Sequence, residues 1–593
     1  MTLLQVRDLD VSIRGTPILA GVGFDLAEGA VLGLVGESGS GKSMTALALI
    51  GLLPEGAKVT GRADFAGRDL LAQSEAALCG LRGREIGMIF QEPMTALNPL
   101  QTIGEQVAET LVVHGAAGRA EARGIAAERL ARVGLPQDRF PLSLYPHELS
   151  GGQRQRVCIA MAVALRPKLL IADEPTTALD VTTQAQILDL LTGLVAEERM
   201  AMLLITHDLA VVSGTADHVA VMQAGRIVEA GATEAVFRTR AHDYTRRLFA
   251  ASAYRPDRRP APPGGAAPPL LEVRGAVREY RPPRPAPFAP HPALRAVDGV
   301  SFALGPGESL GLVGESGCGK STLTRAILGL DPLQGGEIRL AGQPVRPGMD
   351  PDLRTRVQVV FQDPYGSFDP RWRVDRLVAE PFHLTGRPDD WRDRVGAALE
   401  EVGLSPGDGT KFIHEFSGGQ RQRIAIARAL VSGPRLVIAD EPVSALDVSV
   451  QAQVLNLLET LRAEHGLTFL FIAHNLAVVE HMCDRIAVMY MGHIVELATT
   501  EALYTTPRHP YTAALLSAIP DVDPEARRTR TELRGEVGDL MNPPPGCPFH
   551  PRCAHATQEC SQRHPELIDI AAEGEPEHRV ACHHAADLQL TGI

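Results

Sequence analysis

The chain has 593 residues, of which 45% are hydrophobic and 22% charged, and a net charge of −13. That length exceeds what one hydrophobic core serves, so two to four domains are expected. The acidic balance weighs against a nucleic-acid partner, and no apolar run reaches the ~18–20 residues that cross a bilayer.

The opening residues, MTLLQVRDLD, lack a basic segment followed by an apolar one, so no secretory signal is read. The chain is therefore expected in the cytosol, with its eight cysteines mostly reduced. Any role at a membrane would run through a partner.

In chain order, LLQV at 3–6 is a first strand signal. The stretch VLGLVGESGSGKSMT at 31–45 is an apolar run, a glycine-rich loop and a helix-forming run. This is a phosphate loop with a strand before it and a helix after it. Gly36, Gly39 and Gly41 let backbone N–H groups turn in around a phosphate chain, and the helix start adds partial positive charge there. Lys42 would reach the β- and γ-phosphates, and Ser43 would ligate Mg²⁺. The segment at about 105–135 reads as wholly helical.

Ser150, Gly151, Gly152 and Gln153 then precede a long helical run. A hydroxyl, flexible backbone N–H groups and a helix start make a second anion site. LLIADEP is a buried strand ended by acids. Asp173 suits Mg²⁺, and Glu174 can position or deprotonate an attacking water. After a helical stretch, MLLITHD is a further strand, ended by His207. A lone histidine there is more often structural, but it recurs at equal spacing from a second Asp-Glu pair, which favours a γ-phosphate contact.

The whole pattern occurs twice. SLGLVGESGCGKSTL at 309–323 repeats the phosphate loop, with Gly314, Gly317, Gly319, Lys320, Ser321 and Thr322. FQEP at 90–93 returns as FQDP at 361–364, and SGGQ as Ser417, Gly418, Gly419 and Gln420. IADEP returns with Asp440 and Glu441, and His207 returns as His474. A second helical segment is read at about 375–405. Strands alternating with helices predict α/β domains with largely parallel sheets. The expected division is a first domain at 1–251, a Pro/Gly-rich linker at 252–269, a second domain at 270–520 and a cysteine-containing extension at 521–593. RPPRPAPFAPHP at 281–292 is an insertion of the second copy, expected as a surface loop. One domain does not need two triphosphate sites, so each SGGQ is expected to serve the nucleotide held by the other domain.

The ordered set of phosphate loop, FQ(E/D)P, SGGQ, IADEP, ALD and late histidine resembles the ATP-binding subunits of ABC transporters, twice over and along nearly the whole chain. The resemblance implies two tandem ABC-type domains, each with a mostly parallel sheet core, an antiparallel β region and a helical subdomain. It implies ATP and Mg²⁺ as ligands. Gln91 and Gln362 would sense Mg²⁺ and the membrane partner, so Mg²⁺ would be held through Ser43, Gln91 and Asp173, and through Ser321, Gln362 and Asp440. Asp180 and Asp447 would cross the interface, with Lys42's ATP facing Ser417 and Lys320's facing Ser150. The family commonly stacks an aromatic ring on adenine. Tyr280 matches, but Ile13 stands in the first copy, so weaker nucleotide binding is expected at the Lys42 site.

QEPMTALNP, QDPYGSFDP, HDYTRRL, HPYTAALLSAIP and GCPFHPRC are similar to oligopeptide/dipeptide importer ATPases, and nickel importers share these motifs. The implied partners are two membrane-spanning permease subunits and an extracytoplasmic solute-binding protein, with the chain peripheral on the cytoplasmic face and no nucleic acid bound. A soluble tandem ABC ATPase acting on ribosomes or DNA is the alternative. Cys547, Cys553, Cys560 and Cys582 could bind a [4Fe–4S] cluster or Zn²⁺, or stay unligated. They contain no C-x-x-C pair, and the resemblance implies the cluster. His550, His555 and His583 are spare ligand candidates. Cys79, Cys158, Cys318 and Cys483 show no partner pattern and are read as buried or incidental thiols.

Overall fold

The computed structural model describes residues 2–592 except 178, 253–267, 282–292, 365, 445, 474–475, 524–530, 532, 534 and 536–537. Most of the expected linker and insertion, and His474 itself, lie outside the described residues.

Each copy builds the centre of its core sheet from short strands that are almost wholly buried, as expected where helices cover both faces. In the first copy six strands run in the spatial order Arg226–Ala232, His218–Gln223, Val31–Val35, Ala201–Thr206, Leu169–Asp173, Ile86–Ile89. All neighbours are parallel except the edge pair Arg226–Ala232 with His218–Gln223. Val35 aligns with Thr206, and Asp173 aligns with Ile205. The phosphate loop, Glu174 and His207 therefore leave the sheet at one edge, the carboxyl ends of its central strands. Ligands of open α/β sheets bind at such an edge.

The second copy repeats this with Val357–Val360, Leu436–Asp440, Thr468–Ala473, Ser309–Val313, Arg485–Tyr490 and His493–Thr499, and extends the sheet to eight strands. A separate antiparallel sheet accompanies each core. Thr2–Ile13 pairs with Thr16–Ala27 and Ala57–Phe65, and Leu271–Tyr280 pairs with Leu294–Leu304 and Gly335–Leu340.

The first helical region forms as Ile103–Val113 and Arg119–Arg132. The second is more broken than its periodicity suggests. Val374–Val378 gives way to a 3₁₀ turn at Glu380–His383, and a helix resumes only at Trp391–Glu401. Pro381 and Pro388 withhold backbone donors there, and Gly386 takes a φ of 89°. Of the four unpatterned cysteines, Cys158, Cys318 and Cys483 are buried and Cys79 is exposed.

The two added strands come from the extension. Arg579–Val580 pairs antiparallel with His493–Thr499, and Ile568–Asp569 pairs outside it. Phe549 is buried against Tyr490 and Tyr511 at ring distances of 5.3 and 5.4 Å. Arg485 pairs with Glu577, and His578 Nε2 lies 2.8 Å from the fully buried Glu496. Most of the described extension is thus built into the second core. Val522 packs against the first core, and helix Asp243–Ser252 of the first copy packs on helix Val448–His465 of the second. Among the described residues no helix is long and apolar enough to cross a membrane.

Two candidate nucleotide sites and the extension beside them

The phosphate loops fold tightly because their glycines have no side chain. A Cβ on Gly36 would lie 2.2 Å from the Met222 carbonyl, and one on Gly314 would lie 2.2 Å from that of Met489. Lys42 Nζ donates to the Gly36 and Glu37 carbonyls at 2.7 and 2.9 Å. Lys320 Nζ donates to those of Gly314 and Glu315 at 2.7 and 3.0 Å. Burial pushes the Lys42 ammonium below its ordinary range, against the pull of Glu174, Asp447 and Asp173.

Ser43 Oγ donates to Asp173 Oδ1 at 3.0 Å, so the two expected Mg²⁺ ligands meet. Burial raises the Asp173 carboxyl to about 6, and burial with the Glu441 charge does the same to Asp440. A divalent cation would reverse this by favouring the carboxylate. Gln91 Nε2 donates to Glu174 Oε2 at 3.0 Å, and Gln362 Nε2 to Glu441 Oε2 at 2.6 Å. Both glutamines therefore touch the candidate base of their own copy. His207 Nδ1 lies 3.3 Å from Glu174 Oε1, and Thr177 Oγ1 donates to Oε2 at 2.9 Å. Burial alone would raise Glu174, but the His207 and Thr177 contacts outweigh it and hold the carboxyl at about 2. His207 is raised in return, because the Glu174 bond and charge overcome its burial.

The two copies meet across these loops. Asp447 of the second copy accepts from Ser38 N at 2.7 Å, and Asp180 of the first accepts from Ser316 N at 3.3 Å. A cleft of about 460 Å³ lies over the second loop, lined by Lys320, Ser321, Thr322, Tyr280, Gln362 and Glu441. Gly317 and Gly319 also line it, as does Asp180 of the other copy. Tyr280 carries the Arg278 guanidinium 4.5 Å from its ring centroid and donates to Asp331 at 3.2 Å. Ile13 is partly buried.

Each SGGQ begins a helix with a capping box. Ser150 Oγ accepts from Gln153 N at 3.3 Å while Gln153 Oε1 accepts from Ser150 N at 2.9 Å. Ser417 and Gln420 do the same at 3.4 and 3.0 Å. Gly152 and Gly419 let this helix start approach the next helix, since a Cβ would meet Thr183 Cγ2 at 2.5 Å and Val450 Cγ1 at 2.4 Å. Ser150 and Ser417 are exposed, and Ser150 is not among the residues lining the cleft over Lys320.

Several contacts were not legible in the motifs. Tyr244 Oη accepts from Glu37 N at 3.1 Å, and Tyr511 Oη accepts from Glu315 N at 2.9 Å. Tyr244 and Tyr511 stand 267 residues apart, the same offset as Glu174 and Glu441, but that register gives no hint of their contact with the loops. Arg552 of the extension forms a two-pronged ion pair with Glu315 at 2.6 and 3.0 Å. Cys547, Cys553, Cys560 and Cys582 line one small cavity with His550, His555 and His583. Burial raises the Cys547 and Cys582 thiols to about 11. Among the described residues no three His, Cys, Asp or Glu side chains are grouped to hold a metal ion.

The sequence model described as ABC transporter matches this chain twice, at residues 19–177 and 297–444. The chain belongs to the ABC transporter family. A second model, the oligopeptide/dipeptide transporter C-terminal region, matches this ABC protein at 495–560. It is 49% identical over 536 residues to the peptidoglycan transport ATP-binding protein YejF of Agrobacterium fabrum, covering 88% of this chain and 97% of that one. It is 46% identical over 570 residues to the glutathione import ATP-binding protein GsiA of Escherichia coli, covering 90% and 92%. This ABC protein is thus an ATPase with two nucleotide-binding domains in one chain.

Proposed function

We propose that this ABC ATPase energises import of a peptide-like solute, with both ATP sites composed across the two domains. The observation that carries the reading is the reciprocal pair of contacts, Asp447 to the Lys42 loop and Asp180 to the Lys320 loop. Both loops also keep an Asp-Glu pair, so neither site lacks its candidate machinery.

Lys42 and Lys320 would leave their carbonyl partners for phosphate oxygens, and the loop N–H groups would hold the rest of the chain. Mg²⁺, when bound through Ser43, Gln91 and Asp173 or Ser321, Gln362 and Asp440, would offset charge on the phosphates. A carboxyl held at about 2 is ionised at neutral pH but a weak base, so Glu174 first orients the attacking water. A γ-phosphate that draws off His207 would remove its main counter-charge and raise its basicity. Glu441 and His474 would act likewise in the second site. Ser150 to Gln153 would cap the Lys320 nucleotide and Ser417 to Gln420 the Lys42 nucleotide, while Tyr280 stacks on adenine. ATP would close the domains and hydrolysis reopen them.

The domains run 1–251 and 270–520, joined by the linker 252–269, with 521–593 as the extension. The extension's four thiols line one cavity, and a [4Fe–4S] cluster, with zinc as the alternative, is the group they would hold. Visible absorption with about four irons per chain, lost in Cys547→Ser, is the expected result.

The chain would dock on two permease subunits at the cytoplasmic face of the membrane, supplied by an extracytoplasmic binding protein. The oligopeptide/dipeptide transporter C-terminal region and the relatives named for peptidoglycan transport and glutathione import support this. Affinity purification from native membranes tests it. Recovery of integral-membrane subunits, with ATPase activity stimulated by a loaded binding protein, is expected. Recovery of ribosomes or DNA instead would favour the soluble tandem ATPase.

A further inference from the structure

We propose that Arg552 of the C-terminal extension is a positioning residue for the second ATP site alone, clamping the Lys320 loop against the first domain. Glu315, the second residue of that loop's GESGCGKS, is 3% exposed. Its Oε2 accepts from Arg552 Nη1 at 2.6 Å, and its Oε1 accepts from Nη2 at 3.0 Å. Across the domain boundary, Thr182 Oγ1 lies 2.6 Å from Glu315 Oε1 and 2.7 Å from Asp180 Oδ1. One hydroxyl proton serves one carboxylate at a time. The Arg552 charge is what lets the second carboxylate remain buried beside the first.

A chain of contacts therefore runs from the extension through Glu315 and Thr182 to Asp180, which binds the Ser316 amide of the same loop. Arg552 is itself held, since its guanidinium sits 5.9 Å from the Tyr490 ring and it directly precedes Cys553, which lines the cysteine cavity. Leu540 of the extension adds a wall to the Lys320 cleft. Among the described residues the first site shows no such arrangement. Glu37 is only partly buried, and among the described residues no ion pair to it is found. The loop–tyrosine contact is common to both copies, whereas the arginine clamp is found on the Lys320 loop.

The inference rests on the Lys320 loop being a nucleotide site, so the full-length chain is titrated with a fluorescent ATP analogue in two backgrounds. Lys42→Ala reports the Lys320 site, and Lys320→Ala reports the Lys42 site. Absence of binding in Lys42→Ala with Arg552 intact would remove the site assignment itself. With that site present, Arg552→Met is expected to weaken it about tenfold, the size of one lost charge-assisted hydrogen bond. The Lys42 site should stay within about twofold, and Arg552→Lys should recover part of the loss, keeping charge but not the two-pronged geometry. Equal loss at both sites, or none at the Lys320 site, would overturn the proposal. If Arg552→Met does not fold, Thr182→Val breaks the same chain from the first domain. Selective weakening of the Lys320 site supports the clamp, and unchanged binding there overturns it.

Discussion

Glu174 and Glu441 share a left-handed backbone, with φ of 48° and 49°. Such a conformation costs a residue with a side chain about 1–3 kcal/mol and persists only where its surroundings impose it. Here each amide donates to the next strand, to Ile205 and Ile472 at 2.8 Å, which turns the carboxylates toward the glutamines. The double variant Glu174→Gln with Glu441→Gln should keep ATP binding and lose about 10²–10⁴-fold in phosphate release. His509 gives a stability prediction. It is fully buried, its Nδ1 accepts from Tyr511 N at 3.1 Å, and burial lowers it from 6.5 to about 4. Between those values the unfolded chain binds a proton that the folded chain refuses, so stability falls as pH drops from 6.5 to 4, by up to about 3 kcal/mol. His509→Asn keeps an acceptor without titrating, and its unfolding midpoint should vary less with pH across that window. An unchanged slope would place the acid sensitivity elsewhere.

At the level of elements, the second glycine of each signature has a packing role distinct from anion binding. Gly152→Ala and Gly419→Ala should each lower stability by about 1–3 kcal/mol through overpacking, because Thr183 and Val450 stand within 2.5 Å of the new Cβ. Gly151→Ala, whose nearest neighbour is 3.8 Å away, should cost little by comparison in a thermal melt. The strands and helices around these motifs were readable because burial leaves unbroken apolar runs such as VLGLV and LVIAD. The broken second helical region was not, because Pro381, Gly386 and Pro388 act through local dihedrals that an apolar count passes over. The extension's strands, Ile568–Asp569 and Arg579–Val580, are two residues each, too short for any period to register. Contacts such as Arg552 with Glu315, 237 positions apart, leave no trace in spacing at all. The motifs located the phosphate loops, acids and glutamines, but the tyrosines and the arginine that fix the loops emerged only from the fold.

Across the whole molecule, two copies of one domain have become unequal. The second carries Tyr280 and the Arg552 clamp, while the first has Ile13 in place of the ring and, among the described residues, no ion pair to Glu37. Nucleotide should therefore bind more weakly at the Lys42 site, and site-resolved photolabelling should show the Lys320 site filling first. Equal filling would mean that packing by Ile13 substitutes for ring stacking. We propose that each site is shared across the domains, and the rest of the function depends on that sharing. Its most direct test is site-resolved nucleotide labelling of the Glu174→Gln, Glu441→Gln chain carrying either Ser417→Arg or Ser150→Arg. The first change should abolish trapping at the Lys42 site and the second at the Lys320 site. Loss within the same domain as the substitution would contradict the composite sites.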